Sequence, residues 1–199
     1  MKTWIYSKRN LKELLSDPLS LVFTIGLPAF LIVFMVSLNK NFSFNDAFKV
    51  ENFVPASIIF SFAFLTMFTG ILLAKDRGSS FLARMFVSPL KAHHYIIGYI
   101  FPVLMIAFIQ TIFLYIIGFI IGLPFTIHVI ASIPFLLIIA LLFISFGLLF
   151  GSLLRDQQVG GVGSIFIQIV AFLSGMWFSL DLIGGAFKAI GKALPFVHA

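Results

Sequence analysis

Between residues 19 and 180 the chain carries five long apolar runs, parted by short polar stretches. They lie at about 19–38, 53–74, 94–122, 127–154 and 159–180, and each reaches the roughly 20 residues that a helix needs to cross hydrocarbon. A segment in hydrocarbon has no water to pair its N–H and C=O groups, so it must satisfy them internally, as a helix does. The runs therefore predict an all-α fold: a polytopic transmembrane helix bundle of about five spans. Composition agrees, with 61% hydrophobic residues, 27 Phe and only 10% charged residues, against roughly 25% charged in a soluble domain. No cleavable signal peptide is evident, because the first apolar run is too long and no small-residue cleavage site follows it.

The flanking segments fill in the domain plan. Residues 1–18 read as an amphipathic interfacial helix. Trp4, Leu11 and Leu15 fall on one face, with Lys8, Arg9 and Lys12 directed mostly away from it, a pattern suited to the membrane surface and its anionic lipid. Asp17 can cap the next helix, and Pro18 fits its first turn. Gly26 and Pro28 are candidate bend points in the first span. Residues 39–52 form a polar loop, and the second span carries Ser57, Ser61, Thr66 and Thr69, whose hydroxyls can bond within or between helices. Pro102, which lacks an N–H, is the expected kink of the long third span. Leu123-Pro124-Phe125-Thr126 reads as a tight turn, and Arg155-Asp156-Gln157-Gln158 as a polar link. Residues 181–199 are too short and interrupted to cross, and read as an outer re-entrant or surface segment.

Charge sets the orientation. Residues 1–18, 75–92 and 155–158 share one side and hold nine Lys and Arg; the other side holds Lys40, Lys49, Lys188 and Lys192. The positive-inside rule places the nine in the cytoplasm, and with them the N-terminus. The same clustering beside apolar runs assigns the net charge of +6 to topology rather than to nucleic acid, which is not an expected partner.

Catalytic chemistry is hard to place on this chain. It has no Cys, and no acid or base falls at mid-span, where proton relays and ion sites keep them. No base lies at helical spacing from the span serines. The adjacent pair His93-His94 points in two directions on a helix, so no metal site is expected. Ala186 to Ala193 lacks both the leading Gly and the Ser or Thr after Lys that a phosphate-binding loop requires. Hence no catalytic residue, metal or cofactor is assigned to this chain. Gln110 and Gln168, near mid-span, can bond between helices or serve as polar residues of a translocation path. Gly118-x-x-x-Gly122 and Gly147-x-x-x-Gly151 permit close helix packing.

Residues 75–92 read Lys-Asp-Arg-Gly-Ser-Ser-Phe-Leu-Ala-Arg-Met-Phe-Val-Ser-Pro-Leu-Lys-Ala. Phe81, Leu82, Met85 and Phe86 are apolar at helical spacing, Arg77, Arg84 and Lys91 supply charge, and Ser88-Pro89 can stop a short helix. Together with Arg9-Asn10-Leu11-Lys12-Glu13-Leu14, Asp17-Pro18-Leu19, Gly98-Tyr99, Gly151-Ser152-Leu153 and Leu194-Pro195-Phe196-Val197-His198-Ala199, this segment resembles the type-2 (ABC-2) family of ATP-binding-cassette transporter permeases. The resemblance covers nearly the whole chain. It implies six spans, a homo- or heterodimeric second permease and an ABC ATPase subunit that carries the nucleotide chemistry. It also implies an ATPase-coupling loop, here Lys75, Asp76, Arg77, Phe81, Leu82, Arg84, Met85, Ser88, Pro89 and Leu90. The sixth span of that family is not found in these 199 residues, which reads as a chain missing its last helix.

The expected function is thus the membrane-spanning permease subunit of an ABC exporter in the cell membrane, with substrate identity unread: a lipophilic drug, a peptide and a lipid-linked polymer all fit. The alternative is a non-transporting membrane scaffold or sensor subunit; an intramembrane enzyme lacks its reactive groups. The topology is testable directly, because single cysteines can be introduced into a Cys-free chain. Labelling by an impermeant thiol reagent should reach positions between Lys40 and Glu51 from outside, and positions between Lys75 and Lys91 only from the cytoplasm. Equal protection of both loops would refute the orientation.

Overall fold

The computed structural model describes residues 2–42, 46–79, 91–174 and 176–177. Six helices make up most of these residues: α1 (Lys2–Leu15), α2 (Pro18–Phe42), α3 (Val50–Gly78), α4 (Ala92–Ile121), α5 (Ile127–Leu153) and α6 (Asp156–Leu173). Four of them, α2 to α5, are long and apolar enough to cross a membrane. The chain is a multi-pass helical bundle, as its apolar runs require. The fifth expected span corresponds to α6, whose first turn takes in the polar Asp156, Gln157 and Gln158. Residues 181–199 lie outside the described residues.

Local sequence explains where helices begin and bend. Asp17 caps α2 by accepting from the Leu19 N–H at 3.1 Å, and it also accepts from the Ser20 hydroxyl at 2.6 Å. Pro18 sits in that first turn, where its missing N–H costs nothing. Inside α2, Val22–Gly26 forms a π-helical turn just before Pro28. This local widening lies where Gly26 and Pro28 marked a candidate bend point. At its far end α4 closes with Gly122 at φ 117°, a left-handed residue that Gly adopts without a Cβ penalty. The Leu123 N–H returns to the Gly118 carbonyl at 2.8 Å, and the Lys40 ammonium donates to the Ile121 carbonyl. Gly122 is thus a helix cap, not the packing residue that its GxxxG spacing suggested.

α3 is the centre of the bundle. Within its apolar window 72% of residues are buried, against 28% to 39% for the other three spans. The small residues explain why it can be surrounded. A Cβ on Gly147 would lie 2.5 Å from the Thr66 carbonyl oxygen, and one on Gly151 would lie 2.5 Å from that of Gly70. Backbone therefore meets backbone between α3 and α5, as small-xxx-small spacing allows. The Thr66 hydroxyl reinforces the contact by donating to the Phe143 carbonyl at 2.8 Å. On the next face Gly163 of α6 leaves room for Met67. Phe53, Phe62, Ile58 and Phe143 fill the core that results.

α1 lies across α4 and the end of α3, and its packed face is not the apolar one. Tyr6, Ser7, Asn10 and Leu14 are buried, whereas Trp4 and Leu15 remain 59% and 50% exposed. Two features of α4 create the seat. Gly98 admits Tyr6, since a Cβ there would come within 2.2 Å of the tyrosine ring. Pro102 has no N–H to return to the carbonyl four residues back, which is that of Gly98. The Asn10 side chain donates to that carbonyl instead, at 3.0 Å. A residue of one helix thus repairs a defect that proline makes in another.

This repair predicts a compensating pair. Asn10→Ala should destabilise the protein by about 1–3 kcal/mol, the usual penalty for stranding a buried polar group. Adding Pro102→Ala restores an in-helix N–H for Gly98 and should recover most of the loss. Unfolding midpoints of the purified protein in detergent test this; a Pro102→Ala change that deepens the Asn10→Ala defect would refute it.

Candidate functional site: a charged clamp at the root of residues 80–90

The end of α3 carries Lys75, Asp76 and Arg77, which the sequence assigns to a loop. In the structure α3 continues to Gly78, so all three are helical. The second span was expected to stop at Ala74; the i→i−4 ladder instead continues until the Ser79 N–H bonds to the Lys75 carbonyl at 3.0 Å. Residues 80–90 follow directly. Phe81, Leu82, Arg84, Met85, Ser88, Pro89 and Leu90 lie outside the described residues.

Asp76 turns inward and is 3% exposed. Arg9 of α1 meets it in a fork, Nη1 to Oδ2 at 2.5 Å and Nη2 to Oδ1 at 2.8 Å. Tyr99 of α4 donates its hydroxyl to Oδ2 at 2.7 Å. One carboxylate therefore joins three helices through charge-assisted bonds, which are shorter and stronger than neutral ones. The arginine is itself braced. Glu13 pairs with its Nη2 at 2.6 Å, and Nη1 also donates to the Asn10 side-chain oxygen at 2.9 Å. Partial burial disfavours the Arg9 charge, but the hydrogen bond and charge of Asp76, with the charge of Glu13, outweigh it and raise its pKa above the usual value. The guanidinium stays ionised at any physiological pH.

Arg77, the next residue, faces the other way. It donates to the Ser152 carbonyl and, at 2.5 Å, to that of Leu154. These are orphan carbonyls at the C-terminal end of α5, where the helix dipole also favours a cation. Arg155 and Asp156 then start α6 beside it. Lys75 is exposed. The two neighbours Asp76 and Arg77 thus hold opposite sides of the bundle: α1 and α4 through one, α5 and the start of α6 through the other. Asp76 and Arg77 both bond within the protein, Asp76 in a buried site and Arg77 on an exposed surface that it shares with Lys75.

The two mid-span glutamines separate. Gln110 is fully buried and donates to the Ser61 hydroxyl at 2.9 Å, tying α4 to α3. Gln168 is exposed on α6, on the same side as Gln157 and Ser164. Sequence reasoning missed the inward turn of Asp76 and its partners Arg9 and Tyr99. The signal was the acidic residue inside a basic segment, but its partner lies 67 positions away.

Comparison with known proteins settles the family. A profile of the ABC-2 type transporter family matches residues 1–199. The chain belongs to the ABC-2 type transporter family. It is also 24% identical over 198 residues to a protein named "Putative transport permease YvfS" from Bacillus subtilis (strain 168), a match covering 95% of this chain and 78% of that relative. No solved structure matches the chain. Within this family of membrane permeases, the clamp stands where the second span gives way to residues 80–90.

The Arg9–Asp76 pair has a measurable energy. Asp76→Asn should cost about 2 kcal/mol, below the 3–5 kcal/mol seen when a fully buried pair loses one partner, because Arg9 is partly exposed and keeps Glu13. Arg9→Gln should cost more, about 3–5 kcal/mol, because it strands the buried Asp76 carboxylate with Tyr99 alone, and the double variant should cost less than the sum of the two. A double-mutant cycle on unfolding in detergent measures this coupling; additive losses would refute the clamp.

Proposed function

We propose that the chain is the permease subunit of an ABC exporter: it binds a separate ABC ATPase subunit, pairs with a second permease, and moves substrate outward across the cell membrane. The observation that carries this reading is the clamp. A permease driven from the cytoplasm needs a rigid connection between the segment its motor pushes and the helices that move. Here the helix leading into residues 80–90 is bonded through adjacent residues to both flanks of the bundle. A displacement of that segment would be shared by α1, α4 and α5 rather than absorbed by one helix. Discrete, well-packed contacts of this kind turn a local push into a rigid-body shift. In this reading Asp76 and Arg77 anchor the coupling segment, while Phe81, Leu82, Arg84, Met85, Ser88, Pro89 and Leu90, with Lys75, meet the ATPase. Nucleotide binds the partner, and no cofactor is held by this chain.

The path is assigned to α6. Gln157, Ser164 and Gln168 are exposed on one side of that helix, spaced by seven and four residues so that they share a face. A carboxamide facing lipid alone is costly, whereas the same groups against a second permease can pair across the interface or line an aqueous route. Gln110 is locked between α3 and α4 by Ser61 and serves packing.

The test is association with the ATPase. Replacing Phe81 and Leu82 together with Glu should reduce co-purification of the co-expressed ATPase at least tenfold and abolish stimulation of its turnover. Membrane insertion and the unfolding midpoint should be unchanged. Undiminished stimulation in the double variant would overturn the docking role, and full efflux without any ATPase would overturn the exporter reading.

A further inference from the structure

A cavity of about 190 Å³ lies between α1 and α4. Its wall is mostly apolar, Trp4 and Leu11 from α1 and Phe101, Pro102 and Met105 from α4, with Ser7 of α1 as the uncharged polar residue on it. The fold cannot close it. Asn10 and Arg9 fix α1 against Gly98 and Asp76, and Tyr6 already fills the notch at Gly98. One turn further along α4, only the Trp4 ring reaches across, meeting Phe101 edge-on at 5.8 Å between centroids. An apolar cleft of this kind offers water few partners, and beside a bilayer the available apolar filler is an acyl chain.

Charge narrows the occupant. Lys8 also lines the cavity and is the charged residue on its wall. Among the described residues it has no ion pair, because the acids around it are engaged elsewhere. Glu13 pairs with Arg9, Asp76 with Arg9 and Tyr99, and Asp17 caps α2. A free ammonium at the mouth of an apolar cleft is complementary to a molecule with a hydrocarbon tail and an anionic head. Trp4, exposed at the rim, has the amphipathic ring favoured at headgroup depth. We propose that this cavity binds an anionic phospholipid, one acyl chain lying between Trp4 and Met105 and the phosphate on Lys8.

The proposal needs only that the chain sits in a bilayer, so it can be tested without transport. The sequence contains two Trp, and Trp177→Phe leaves Trp4 as the sole indole fluorophore. The full chain is reconstituted in phosphatidylcholine vesicles containing phosphatidylglycerol, with brominated acyl chains placed on one lipid or the other at equal mole fraction. Brominated phosphatidylglycerol should quench Trp4 with an apparent association about fivefold stronger than brominated phosphatidylcholine, the preference expected of one lysine near an anionic surface. Lys8→Gln should erase that preference and Lys8→Arg keep it. Lys12→Gln should also keep it, since Lys12 does not line the cavity. Equal quenching by the two lipids in the Lys8 protein would overturn the proposal. So would equal loss in the Lys8→Gln and Lys12→Gln proteins, which would mean that a diffuse basic surface, not this cavity, attracts the lipid.

Discussion

Hydrocarbon offers a polypeptide no hydrogen-bonding partner, and most particulars of this structure answer that constraint. The long helices meet it along their lengths, because each N–H finds a carbonyl in the same segment. The difficulty moves to the places where the ladder fails. At Pro102 the carbonyl of Gly98 is freed and Asn10 takes it. At the end of α5 the carbonyls of Ser152 and Leu154 are taken by Arg77, and at the end of α4 that of Ile121 is taken by Lys40. Each repair comes from a different helix. The protein thus converts local backbone defects into tertiary contacts, and those contacts fix the bundle where apolar packing alone would leave helices free to slide. Packing cannot supply this specificity by itself, since lipid chains are as apolar as leucine.

The same logic explains why the charged clamp sits where it does. A buried carboxylate such as Asp76 survives only if paired and hydrogen-bonded. Arg9 and Tyr99 supply both, and Glu13 and Asn10 orient the arginine in turn. Removing one member of such a network leaves a buried charge uncompensated, so its partners hold one another in a single arrangement. In the coupling role proposed for residues 80–90, uniqueness at their root is what a force-transmitting contact would require. The glycines of α3 and α5 play the matching part in the apolar interior: a Cβ at Gly70, Gly147 or Gly151 would hold the two backbones too far apart for Thr66 to reach Phe143.

The amphipathic reading of α1 shows how a correct pattern can point to the wrong contact. The stripe of Trp4, Leu11 and Leu15 is present, but Trp4 and Leu15 stay largely exposed, and the buried contacts of α1 come from Tyr6, Asn10 and Leu14. In water an apolar stripe marks the buried side. Beside a membrane it is free to face lipid, so the polar and aromatic residues carry the protein contacts. Sequence periodicity reports which residues share a face, and the solvent decides what that face meets.

What the sequence determined by itself was set by length and hydropathy, which are local and additive. The apolar runs dictated helices and their number to within the ambiguous polar start of α6, and Asp17-Pro18 and Gly122 dictated where helices begin and end. The ordered motifs were enough to show the resemblance to ABC-2 permeases. What only the tertiary structure decided depends on partners distant in the chain. Lys75, Asp76 and Arg77 look alike as a charged triplet, yet one is exposed, one is buried against Arg9 and one caps α5. Gln110 and Gln168 look alike as mid-span amides, yet one is locked to Ser61 and the other is exposed. On a helix, residues one apart point about 100° from each other, so neighbours in sequence go to different neighbours in space, and only the assembled bundle determines which.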